Sequence, residues 1–213
     1  MSDKTTQRVN EAQVRKAVAA LLKHIENQKA SQKNMQLLDQ DEMFNVVVAL
    51  KKTPSESSNK PISIAIPNPL YTPEEHEVCL FVKDAKEGKG HKEAKARVKQ
   101  IENSGVQKVI GVQKLKANYF PYEAKRQLCN QYDLFLADER IIAVLPKLLG
   151  KSFFKKKKQP IPVKLNANGD WETQIKRALK STYTFIKGGN TLNVRAARSS
   201  QDEDDIVDNI MAA

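Results

Sequence analysis

Four consecutive lysines, Lys155, Lys156, Lys157 and Lys158, form the longest unbroken run of positive charge in this sequence. Adjacent ammonium groups repel one another, and contact with a polyanion relieves that repulsion by releasing counterions from its phosphates. A solvated loop is the other reading of the same run. Phe153 and Phe154 directly precede it and offer either rings for stacking on bases or packing at the end of a domain. Nucleophilic and metal chemistry find less support. Cys79 and Cys129 stand far apart in apolar stretches and read as buried free thiols. His24, His76 and His91 are scattered and build no clustered zinc set. Gly150-Lys151-Ser152 has the end of a phosphate-binding loop, but the glycine needed five residues earlier is Leu145. Gly88-Lys89-Gly90 lacks the third glycine of a dinucleotide fingerprint, and Gly188-Gly189-Asn190 reads as a turn. The expectation is a binding protein with no catalytic residues, no metal and no cofactor.

The charge of the whole chain points the same way. Its 213 residues carry a formal +11, yet five acidic residues and no basic ones follow Ser200, which leaves +16 on residues 1–200. Such an excess suits a polyanionic partner, with nucleic acid first and an anionic membrane surface second. No apolar run approaches the roughly 20 residues of a membrane span, and Met1–Gln7 lacks the apolar core of a signal peptide. A cytosolic or nuclear location is expected.

These groups need elements to hold them. Asn10 with Gln13 opens a helix whose apolar stripe, Val14, Ala17, Val18, Leu21, Leu22 and Ile25, reads as core. Met43–Leu50 is too apolar for a surface strand, and Ile62–Ile66 alternates as a second strand. The middle of the chain changes rhythm. Strands at Val78–Val82, Val106–Val112 and Tyr132–Ala137 alternate with helices at Lys92–Ile101, from Pro121 through Leu128, and from the cap Asp138 to Gly150. That alternation predicts a parallel sheet layered with helices. Beyond it, Asp170 caps a helix bearing Trp171, Ile175, Ala178 and Leu179. Thr191–Arg198 is a strand with Arg195 opposite Leu192, Val194 and Ala196, and a last helix starts near Asp202.

Proline clusters at Pro67, Pro69 and Pro73 and at Pro160 and Pro162 mark two boundaries. The fold expected is α/β: a split α+β domain, residues 1–67 and 155–213, carrying a Rossmann-like α/β insert, residues 68–154. The sequence stops inside a helix at Ala213, so a final strand of the outer sheet is expected beyond it.

The order of several stretches carries a resemblance. They are Gln13–Val18, Leu115-Lys116 with Tyr122–Lys125, Asp133–Asp138, Leu145–Gly150 and Thr191–Val194. Across nearly its whole length the chain resembles the stalk protein family of the large ribosomal subunit, the ribosomal L-one family, and more closely its eukaryotic nucleolar branch of biogenesis factors. The resemblance implies the same split domain and insert, with RNA mainly on the split domain. Three departures from the stalk proteins favour a biogenesis factor. Lysines replace most glycines between Gly150 and Pro162, Leu37–Glu42 lacks the expected phenylalanine, and the late Ser/Thr-Met-Gly loop would fall beyond Ala213.

The expected function is therefore binding of a ribosomal RNA precursor in the nucleus and nucleolus. The expected setting is large-subunit assembly and processing near the second internal transcribed spacer, with other assembly factors and ribosomal proteins as neighbours. The expected phosphate contacts are Lys51, Lys52, Lys155, Lys156, Lys157, Lys158, Arg195 and Arg198. With aromatic residues at 6% of the chain, stacking is not expected to dominate. Three alternatives stand beside this reading. One is a small-subunit-processome relative, one is a mature stalk protein, and one is a protein scaffold whose acidic last helix docks a basic partner.

Overall fold

The computed structural model describes residues 9–31, 41–54, 61–72, 74, 76–84, 90–101, 104–166, 169–186 and 188–213. In chain order the first half runs α1 (Glu11–Ser31), β1 (Met43–Ala49), β2 (Ile62–Ala65), β3 (Val78–Val82), α2 (Gly90–Gln100), β4 (Val106–Gly111), α3 (Val112–Asn118) and α4 (Tyr122–Gln131). The second half runs β5 (Leu134–Asp138), a 3-10 turn (Glu139–Ile141), α5 (Leu145–Leu149), α6 (Lys151–Lys155), β6 (Ile161–Val163), α7 (Trp171–Leu179), β7 (Ser181–Thr184), β8 (Thr191–Arg198) and α8 (Glu203–Ala212). The chain divides into two compact units. One joins residues 1–70 to 181–213, and the other is Tyr71–Lys180.

The outer unit holds two antiparallel pairs, β1 with β8 and β2 with β7. Val14, Val18, Leu22 and Ile25 of α1 pack with Phe44, Ala197, Ile206, Val207 and Ile210. Only this narrow stripe is core. Ala17 and Leu21, expected with it, remain exposed. A second expectation also changes, because β1 is not buried throughout. Its first half closes the core through Phe44, while Val47 is 63% exposed and Val48 is exposed beside it. Val47 and Val48 point to opposite faces, so neither face of the ribbon's far end is covered, and apolar composition alone did not decide burial.

Three side chains near the C-terminus grip the proline-rich segment where the chain leaves this unit. Asn209, fully buried, accepts a bond from the Asn68 N–H at 2.9 Å and donates one to the Asn68 carbonyl at 2.9 Å. Gln201 donates to the Pro69 carbonyl at 3.1 Å, and Arg198 Nε to the Leu70 carbonyl at 2.8 Å. Pro67 and Pro69 lack the N–H that a strand ladder uses, and side chains supply the partners instead.

The inserted unit is a four-stranded parallel sheet in the order β4-β3-β5-β6. Both β3 and β5 are buried at all five positions, as a sheet covered on two faces requires. On one face Cys79, Phe81, Phe135 and Ala137 meet Leu115, Leu128, Cys129, Leu145, Leu149 and Phe153. The Phe135 ring stacks on Phe81 at 5.7 Å and meets Phe153 edge-on at 4.9 Å. On the other side α2 lies against β3 and β4 and α7 against β6, with Arg97 placed 5.4 Å from the Trp171 ring centre.

This topology moves the second boundary. It was expected after Phe154, but the insert continues to Lys180. Pro162 does not end the domain. It sits inside β6, an edge strand paired with Leu136–Asp138, where a residue without an N–H is tolerated. The first boundary lies at Leu70/Tyr71 rather than at Pro67/Asn68. The strands β6 and β7 and the helices α3 and α6 were not anticipated. The helix expected from Asp138 to Gly150 is broken into the 3-10 turn and α5.

Candidate nucleic-acid interface

The cations expected to hold phosphate fall in different settings. In the outer unit Lys51 and Lys52 are exposed in the bend after β1, whose last residues are tied by Leu50 N–H to the Asn190 carbonyl at 2.6 Å. Arg195 stands opposite Asn45 in the β1–β8 register, on the ribbon face away from Val194 and Ala196. Arg198 is different. Its side chain is only 16% exposed, holds the Leu70 carbonyl and pairs with Asp41 at 3.5 Å. Its charge is spent inside the unit, on that carboxylate and that carbonyl.

The lysine run belongs wholly to the insert, not to a connection between units. It ends helix α6 in a Schellman arrangement. Lys157 takes the left-handed position with φ 54°, Lys158 N–H donates to the Phe153 carbonyl at 3.0 Å, and Lys157 N–H to the Phe154 carbonyl at 3.2 Å. Two of the four ammonium groups then serve the end of α4. Lys158 Nζ donates to the Tyr132 carbonyl at 2.7 Å and lies 3.6 Å from Asp133, and Lys156 Nζ bonds the Asn130 side chain. A helix C-terminus favours cations, so this placement has a structural cause. Lys155, Lys156 and Lys157 are exposed, and Lys158 is half-buried. Phe153 is fully buried and Phe154 half-exposed, so the pair splits between packing and surface.

The crevice at the carboxyl ends of the parallel strands is where open α/β sheets bind ligands, and its acids are already engaged. Asp84 accepts from the Gln113 N–H at 2.6 Å and caps α3. Gly111 makes that possible, since a Cβ there would stand 2.0 Å from Asp84 Oδ1. Asp138, nearly buried, takes Arg140 Nε at 3.0 Å and Nη2 at 2.6 Å, while Nη2 also reaches the Leu165 carbonyl at 2.9 Å. Among the described residues no three His, Cys, Asp or Glu side chains group around a metal position, and no helix is long and apolar enough to cross a membrane.

One cluster was missed from the sequence. Phe120 and Tyr122 flank Pro121 at the start of α4 and are 79% and 80% exposed. Lys125 holds its ammonium 6.0 Å from the first ring centre and 5.6 Å from the second. Pro121 was read as a helix start, and the aromatic residues on both sides of it were the available signal.

An outer unit of two antiparallel strand pairs interrupted by a parallel α/β insert defines a split α/β fold, with exposed cations on each unit. The chain belongs to the ribosomal protein L1p/L10e family, whose model matches residues 11–213. It is 38% identical over 185 residues to a Schizosaccharomyces pombe protein named provisionally for ribosome biogenesis, covering 82% of this chain and 48% of that one. It is 31% identical over 205 residues to the mouse (Mus musculus) ribosomal L1 domain-containing protein 1, covering 94% and 44%. The large ribosomal subunit protein uL1 of Cenarchaeum symbiosum is 30% identical over 116 residues, covering 54% and 52%. The chain thus spans about half the length of these relatives.

Proposed function

We propose that this protein is an RNA-binding ribosome biogenesis factor of the eukaryotic nucleolar branch. It holds a large-subunit ribosomal RNA precursor near the second internal transcribed spacer. The observation that carries the reading is the +16 excess on residues 1–200 of a chain in this family. The biogenesis name of the fission-yeast relative supports it. Its place of work is the nucleolus, and its neighbours are assembly factors and ribosomal proteins of the precursor particle.

Lys51, Lys52 and Arg195 of the outer unit and Lys155 and Lys157 of the insert make the phosphate contacts. Lys156, Lys158 and Arg198 hold the fold. Each phosphate contact contributes about 0.7–0.9 to the log–log salt slope. Replacing Lys51, Lys52, Lys155 and Lys157 by Ala lowers that slope by about one to three units on a precursor fragment, with little change in sequence preference. Unchanged slope and affinity across a salt series would refute the assignment and leave the scaffold reading. That alternative has lost part of its motif. The acidic first turn of α8 sits where the helix dipole favours it, and Asp204 already pairs with Arg15.

A further inference from the structure

We propose that Phe120 and Tyr122 of the insert form a stacking platform for unpaired RNA bases, with Lys125 as its phosphate partner. The proposal rests on the RNA-binding reading above and adds a contact of a different kind, in the unit that carries the lysine run.

The two rings are the most exposed of the large apolar side chains among the described residues, and they stand one residue apart across a proline. A soluble surface normally leaves such residues scattered. Pro121 takes a polyproline-like backbone at the N-cap of α4, φ −63° and ψ 145°, which stiffens the presentation of both rings. The rings are not covered by apolar neighbours. Among the described residues their ring partner is the Lys125 ammonium, drawn to the negative ring faces.

The surroundings are basic. Lys114, Lys116 and Arg126 are exposed on α3 and α4, against the single acid Glu123, which Arg126 pairs at 3.4 Å. The Lys125 stem runs past Gly150, 3.9 Å from where a Cβ would stand, and so lies against the start of α6. At the other end of α4 stand Lys156 and Lys158, held by Asn130 and Tyr132. Ten residues of helix separate the two groups, about 15 Å at 1.5 Å per residue. The α4–α6 side of the insert therefore joins aromatic rings at one end to a cationic turn at the other. A protein-binding patch of two rings calls for an apolar partner and draws nothing from this positive surround. A single strand uses both, since every base has a π-face and every link a phosphate.

The test compares an unstructured oligouridine 12-mer with an RNA hairpin duplex of similar charge, each across a salt series. Phe120→Leu/Tyr122→Leu should weaken the single strand by about tenfold or more, at an unchanged salt slope, and leave the duplex as before. Phe120→Tyr/Tyr122→Phe should bind like wild type. The rings are exposed, so both pairs should keep the wild-type melting temperature. A leucine pair that binds the single strand as tightly as wild type overturns the platform and gives the rings to an apolar protein partner. Equal losses on single strand and duplex overturn it too. Failure of the wild-type protein to bind any RNA strikes the proposed function itself, whereas duplex binding with no effect of the rings strikes the platform alone.

Discussion

Lys157 occupies a left-handed backbone position that glycine commonly fills at helix ends. Its φ of 54° places a Cβ where left-handed geometry is strained. Lys157→Gly should therefore stabilise the protein by about 0.5–1 kcal/mol, after allowing for the greater freedom of glycine in the unfolded chain, as read by urea denaturation. Cys79 is the second residue with a sharp expectation. Burial pushes its thiol from the ordinary 9.0 up to about 12, with the Lys108 charge acting in the opposite direction. A thiol buried this way stays protonated in the folded state while the unfolded chain releases the proton. The unfolded state then binds fewer protons, so the contribution to stability is full below about pH 9 and is lost progressively as pH rises toward 12. Burial also raises the Cys129 thiol. Neither thiol should react with a disulfide reagent at pH 8 until denaturant is added. Rapid labelling of native protein would show that the α4 side of the sheet opens.

At the scale of elements, the clamp on Asn68, Pro69 and Leu70 has the largest expected energetic consequence. Asn209→Ala removes two hydrogen bonds and leaves the partly buried Asn68 N–H and carbonyl without those partners. The expected cost is about 2–4 kcal/mol, measured as a lower denaturant midpoint at unchanged slope. No sequence pattern marks Asn209 for this role, because α8 reads simply as an amphipathic helix with an acidic start. The same limit hid the role of Arg198. Strand alternation placed Arg195 on the ribbon face away from Val194 and Ala196 and Arg198 on theirs, but it could not show the Leu70 carbonyl and Asp41 that Arg198 holds. The lysine run was visible, whereas the bonds that Lys156 and Lys158 make at the end of α4 depend on where α4 stops.

For the whole molecule, the boundary at Lys180/Ser181 makes a direct prediction. A fragment spanning 71–180 should fold alone and give dispersed amide signals, because it contains all four parallel strands and both helical layers. A fragment ending at residue 154 should give collapsed signals or melt far lower. It loses the edge strand paired with Leu136–Asp138, the Leu165 carbonyl that Arg140 holds, and α7. Equal dispersion from both fragments would put the boundary back at the lysine run.

Local pattern alone determined the charge excess, the alternating strands and helices of the insert, and the α/β class, since each depends on residue type and period over short windows. Tertiary structure alone decided which strand is an edge, which lysines are spent on a helix end, and which aromatic residues stay uncovered. Phe120 and Phe153 look alike in sequence. One is exposed at the start of α4 and the other is fully buried against Phe135. The difference is which surfaces the sheet brings over them, and that is set by contacts between residues far apart in the chain.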